Sequence, residues 1–504
     1  MTKAAARNGG NDLAGDWSNE FVYSTVDSSL WGATLDATSK GNRGLVVLPV
    51  SWVTHEVAPG RFDFSTGSLG LRRLLDLGRA RGARICLRIG GSRAVPIDLP
   101  ARLGARRSLF AEDARGALVR VPGDATRFVP SAASTEGLRE RTAFLDAVGA
   151  VASEAISAGL RVTVDCGGVL RALAALGPFD ADYHPASRAL YWTFLEGRYG
   201  DIRELNDEYG TTYATFSSVV PPTEFVPRAP GDLPAHFDWA AYQEYYRLWG
   251  AVRLKEAFAK TLEGAALTRG DVKWACVVSD AAVPVSLEEL RRFFDHVAIE
   301  GAPETGDSAM GGRVAFAMPR EYARLEWIST RSGVAVPAAG DAESNGMRWD
   351  EFGFLDDVPA ATREARAGWA SAFAACGVPW VEVEASVAAI RRVEAALVVV
   401  PTFDFISVGT WRVIDALVRD GRTVVVGLRV PWLSAALKPF GEFRAALKRS
   451  VATNDVFDEF RFGRGRLCVV KGEGASGDAG QSVLRRALRA ILPKSAKDVE
   501  HVSA

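Results

Sequence analysis

From Phe21 to about Pro359, short runs rich in β-branched residues alternate with helix-length amphipathic stretches. Two parallel strands can be joined only by a crossover of a dozen or more residues, usually a helix. The alternation therefore points to a parallel sheet with helices packed on it. The runs are Phe21–Thr25, Gly44–Pro49, Arg84–Ile89, Arg161–Asp165, Val272–Ser279, His296–Glu300, Arg313–Ala317 and Gly333–Pro337. Helical stretches between them include Gly70–Arg81, Leu138–Ala158, Ser187–Tyr199, Trp239–Glu263 and Ser286–Phe294. Eight runs over about 350 residues fit a (β/α)8 TIM barrel carrying insertions. An open doubly wound sheet is the rival, but no Gly-x-Gly-x-x-Gly turn follows the first run.

A second block starts near Thr362. Helix Glu364–Cys376 leads to strand Trp380–Val383, then to the all-apolar strand Ala396–Pro401, helix Val408–Asp420 and strand Thr423–Gly427. Gly421 stands where a helix C-cap is needed, so this stretch reads as one βαβ unit of an open sheet. A hairpin over Phe457–Lys471 and helix Gln481–Leu492 close it. The expected division is a disordered 1–18, a barrel over 19–360, an open-sheet α/β domain over 361–492 and a disordered tail. A chain of 504 residues needs more than one core in any case.

Charge excludes some functions. Lys and Arg total 60 against 61 Asp and Glu, so no global basic excess is present to hold nucleic acid or an anionic membrane. The five cysteines, Cys86, Cys166, Cys276, Cys376 and Cys468, are far apart and mostly lie in apolar runs. They read as reduced and buried, not as disulfides or zinc ligands. The polar N-terminus lacks a signal-like apolar segment, and no window is apolar enough to span a bilayer. A soluble cytoplasmic protein without metal or cofactor is expected.

Three stretches carry a family resemblance. Trp52-Val-Thr-His-Glu56-Val-Ala-Pro-Gly60-Arg-Phe62-Asp63-Phe64 follows the second strand. Tyr191-Trp192-x-Phe194-Leu195-Glu196-x-Arg198-Tyr199-Gly200 leads to Glu204-Leu205-Asn206-x-x-Tyr209-Gly210-Thr211. Ala396–Pro401, Asp420–Gly427 and Gly463–Val470 make up the third. Together they resemble the beta-galactosidases of glycoside hydrolase family 42. The first is similar to their Trp-x-x-x-Glu-Pro loop, with the proline moved to Pro59. The second is similar to the insert after their fourth strand, without the cysteines that often bind zinc there. The third resembles their trimerisation domain, which has a glutamine-amidotransferase-like, flavodoxin-like fold. The resemblance implies a carbohydrate ligand and a homotrimer.

It also implies chemistry. A retaining glycosidase needs an acid/base and a nucleophilic carboxylate about 5 Å apart. The family's acid/base is the Glu of an Asn-Glu pair ending strand four. Here that strand reads Arg161-Val-Thr-Val-Asp165-Cys166-Gly167-Gly168, with Cys166-Gly167 aligned to the pair. Asp165 is the candidate displaced acid, although a one-residue shift points a strand side chain to the other face. Strand seven has two placements. As Gly333–Pro337 it offers Glu343, or failing that Asp341, as nucleophile; as Arg313–Ala317 it leaves Glu321 nearest, with Glu300 on strand six. Glu343 is favoured. Trp52, Glu56, Arg88, Arg93, Trp192 and Trp349 are the candidate substrate contacts, since sugar sites pair aromatic faces with polar groups. The expectation is a carbohydrate-active protein with impaired hydrolysis, which Cys166→Asn with Gly167→Glu should repair. The alternative is a non-catalytic glycan-binding or assembly protein.

Overall fold

The computed structural model describes residues 16–90, 99–122, 124–174, 176–227, 232–263, 272–278, 285–300, 314–330, 358–447, 451–471 and 477–492. The chain divides into two compact units, Met1–Phe194 with Tyr242–Ser308, and Leu195–Ala241 with Ala309–Ala504.

The first unit is built on strands β1 (Leu45–Val50), β2 (Arg84–Ile89), β3 (Val162–Asp165), β4 (Val272–Val278) and β5 (His296–Ile299). They form one parallel sheet in chain order. β1 is buried at every position, as expected of a parallel strand covered on both faces. Residues in register share a face. Val46, Leu48, Ile85, Leu87, Val164 and Cys166 pack with Leu71, Leu74 and Leu75 of helix α2 (Leu71–Ala80), Phe144 and Val148 of α3 (Thr135–Ser157), and Leu254 and Phe258 of α6 (Leu233–Glu263). Leu45, Val47, Cys86, Ala275 and Val277 form a small separate cluster on the opposite face. Helices α4 (Gly168–Ala174), α5 (Pro185–Tyr199) and α7 (Leu287–Phe293), with α1 (Trp31–Gly41) at the start, complete the βα alternation. This mixed α/β arrangement is compatible with the barrel of a glycosidase.

Two strand expectations need correcting. Phe21–Thr25 is not a full strand. Glu20, just before it, makes a single parallel bridge to Val47, and the run then turns into a 3-10 helix at Tyr23–Thr25. The Thr25 hydroxyl donates back to Val22 O at 2.8 Å, a local bond that competes with the ladder. Arg313–Ala317 is not a strand of the first sheet. As β6 (Val314–Met318) it belongs to the second unit, between β7 (Trp380–Glu384) and β8 (Leu397–Thr402). A short strand buried at all five positions carries no face information in its sequence, so partner choice stays hidden. Gly333–Pro337 lies outside the described residues.

The second sheet continues with β9 (Thr423–Leu428), β10 (Ala452–Thr453), β11 (Phe457–Phe462) and β12 (Gly465–Val470), in the spatial order β7-β6-β8-β9-β12-β11-β10. Its five parallel members therefore run second, first, third, fourth, fifth in chain order, one of the two common orders of doubly wound sheets. Helices α8 (Arg320–Thr330), α9 (Val358–Ala375), α10 (Val408–Arg419) and α11 (Gly477–Ile491) belong to this unit. Ser407 caps α10 by accepting from Thr410 N at 3.0 Å. Among the described residues no helix is long and apolar enough to cross a membrane.

Candidate functional site

Arg88 and Asp165 are register partners near the carboxyl ends of β2 and β3, so their side chains leave the same face side by side. Arg88 Nε meets Asp165 Oδ2 at 2.9 Å. Its Nη1 meets Glu20 Oε1 at 2.5 Å and Glu300 Oε1 at 3.0 Å, and Nη2 donates to Trp17 O at 2.9 Å. Arg171, in α4, donates from Nη1 to Asp165 Oδ2 and to Val277 O, both at 2.8 Å. The other Asp165 oxygen accepts from Gly167 N at 2.8 Å and Val277 N at 3.1 Å. Two guanidiniums thus face three carboxylates in a buried cluster. Arg88 and Asp165 are both fully buried.

Burial pushes the Asp165 carboxyl up, but Arg171, Arg88 and the two backbone N–H groups together hold it below the usual carboxylate range. Burial likewise pulls the Arg88 guanidinium down, and Asp165 foremost reverses this. An ionised carboxylate with four donors has no proton to give. Asp165 anchors the cluster, on the face opposite the helix-covered core. Arg88 has all three nitrogens engaged within the protein.

The strand-end position Gly167, which the sequence resemblance sets against an acid, is closed by geometry. A Cβ added to Gly167 would lie 2.2 Å from Val277 O, 2.9 Å from Val277 N and 2.9 Å from Arg171 Nη1. Only a residue without a side chain fits there. The expected repair by Gly167→Glu is thus corrected: β4 occupies the space that a glutamate needs.

The Trp52–Phe64 loop is shaped by its own polar residues. Ser51 caps the helical turn Trp52–His55, accepting from Thr54 N at 2.9 Å. Trp52 is buried and stacks on Phe144, with centroids 5.7 Å apart. Glu56 accepts from Arg102 Nη2 at 2.5 Å and Gly60 N at 2.8 Å, and its side chain is 5% exposed. Burial raises its carboxyl; Arg102 and the Gly60 N–H lower it further than that. His55 links Tyr23 OH at 2.6 Å to Asp63 O at 2.7 Å. Glu56 is therefore a loop brace. Trp192 lies half-buried on α5. Glu343, Arg93 and Trp349 lie outside the described residues.

In the second unit the insert motif converges on a residue that sequence reading missed. Asp238 accepts from Tyr199 OH at 2.6 Å and Tyr209 OH at 2.8 Å, and pairs with Arg198 Nε at 2.9 Å. Asn206 binds Thr211 and Tyr213 and so fixes the turn after Tyr209. These motif residues hold the insert together.

No protein-family model and no curated protein matches the sequence. Solved structures match it over most of its length. The beta-galactosidase of Bacillus circulans sp. alkalophilus gives a TM-score of 0.60 at 11% identity, covering 97% of this chain and 90% of that one. The beta-galactosidase of the haloarchaeon Halorubrum lacusprofundi gives 0.59 at 14% identity, covering 92% and 87%. A GH42 beta-galactosidase of G. stearothermophilus gives 0.52 at 10% identity, covering 89% and 83%. The chain has the fold of family 42 beta-galactosidases.

Proposed function

We propose that this is a carbohydrate-active protein derived from a retaining beta-galactosidase, with hydrolysis impaired at the acid step. The observation that supports it is Gly167, where no carboxylate can be accommodated at the strand-four position. General acid catalysis contributes typically ~10²–10⁴-fold, most for poor leaving groups. Lactose should therefore show no measurable turnover. A nitrophenyl β-galactoside needs little protonation and should react slowly if Glu343 serves as nucleophile. Steady-state assays on both substrates test this, and brisk lactose hydrolysis would sink it.

A second reading, a glycan-binding or assembly protein without turnover, is favoured by the Arg88–Asp165 pair, in which both Asp165 oxygens and all three Arg88 nitrogens are engaged within the protein. Under it, calorimetry detects galactoside binding while neither substrate turns over.

We further propose that the chain assembles as a homotrimer through its second unit, as the resemblance of that unit to a trimerisation domain suggests. Light scattering should give three times the 54.1 kDa chain mass. A clean monomer across a concentration series would count against it. The four buried free thiols, Cys86, Cys166, Cys276 and Cys468, suit a reducing cytoplasmic compartment.

A further inference from the structure

A second feature of the first unit is independent of the sugar reading. A partly open cleft is walled by Trp52, Phe144, Leu145, Val169 and Leu254. A neighbouring hollow shares Trp52, Val169, Leu254 and Arg141 in its wall. Neither is lined by Arg88, Asp165, Glu20 or Glu300.

Arg141, half-buried, stands in this apolar wall without a hydrogen bond or an ion pair among the described residues. Its guanidinium is pulled below the ordinary arginine range by burial, opposed only by the Tyr246 phenol. The arginines around it differ. Arg102 pairs with Glu56, and Arg106 with Glu136 and Glu140. A second cation on the cleft, Arg253, likewise has no carboxylate partner. It reaches Ala133 O at 3.4 Å and lies over the Trp249 ring at 4.7 Å. The one acid on the wall, Glu140, is held by Arg106 at 2.6 Å and lies 3.9 Å from Arg102. The first turn of α3 also faces the cleft through Ser134, Gly137 and Leu138, adding the positive end of a 23-residue helix. An unpaired guanidinium in an apolar wall costs stability that a bound anion would restore.

We propose that this cleft binds a small organic carboxylate, its oxygens on Arg141 and its apolar body against Trp52, Phe144 and Leu254. Apolar walls with a few convergent charges are the usual composition of such sites, and a guanidinium matches a carboxylate in a two-point grip. A neutral sugar fits poorly. The wall hydroxyls are engaged: Ser131 donates to Asp182 at 2.5 Å, and Ser134 donates to Ser108 O at 2.8 Å while accepting from Gly137 N.

Calorimetry on the full chain tests this with phenylacetate, its neutral methyl ester, glucuronate and inorganic phosphate. Phenylacetate should bind and the ester should not. Arg141→Gln should weaken phenylacetate by roughly tenfold or more, and Arg141→Lys by less. Without ligand, Arg141→Gln should melt higher than the parent, because it removes an unpaired charge. Equal binding of acid and ester overturns the proposal, as does unchanged binding by both variants or no binding of any probe. Phosphate or glucuronate binding as tightly as phenylacetate overturns the apolar-body assignment.

Discussion

Gly167→Glu, alone or with Cys166→Asn, should destabilise the protein and restore no hydrolysis. The reason is backbone, not side chain. The Cβ of any residue at 167 falls 2.2 Å from Val277 O and 2.9 Å from Val277 N, both belonging to β4. A neighbouring side chain can rotate away, but a strand held by its ladder to β3 and β5 cannot. Overpacking a core usually costs about 1–3 kcal/mol. A clash with paired backbone should reach roughly 4 kcal/mol or more. Cys166→Asn adds its own penalty, because Cys166 packs fully buried in the helix-covered core. An amide there without a partner costs about 1–3 kcal/mol. Urea denaturation followed by circular dichroism measures the loss, and Gly167→Ala isolates the Cβ contact. A double variant that folds with parental stability and gains lactose turnover would refute both the steric argument and the function built on it.

Much of the scaffold was legible because its signals are local. Periodicity and caps located β2 and α10 to within a residue or two, and Gly421 marked the end of α10. What stayed hidden is non-local. Nothing in Val314–Met318 tells which sheet it joins, since both of its faces are apolar. The cluster at the strand ends draws on positions 20, 88, 165, 171 and 300; Arg88, Asp165 and Glu300 stood out singly, but nothing in their separate stretches showed that they meet. Face parity was the usable clue: Asp165 and Gly167 are two apart and Arg88 pairs with Asp165, so register would have placed the acid beside a guanidinium. Arg141 gave no clue at all. An arginine on a long amphipathic helix reads as a solvated residue until the wall around it is seen.

Asp165→Asn should be nearly as damaging as the Gly167 change, and its pH dependence identifies the cause. The substitution keeps the shape but leaves Arg88 and Arg171 buried with one carboxylate fewer. Breaking a buried pair from one side costs about 3–5 kcal/mol, because the remaining charge has lost its compensation. Those partners hold the folded carboxyl below its unfolded value of about 3.9. A depressed acid contributes stability that is fully present above the unfolded pKa and is lost as pH falls through the folded one. The gap between parent and variant should therefore be widest near neutral pH, begin to narrow near about pH 4 as the unfolded chain takes up the proton, and close only below the lower folded value, where the native parent also loses its charge at this position. Thermal melts of both proteins from neutral to acid pH measure it. A variant as stable as the parent at neutral pH would show that the cluster's charges balance without Asp165. A gap that widens in acid would show that Asp165 is protonated in the native state, returning it to candidacy as a proton donor.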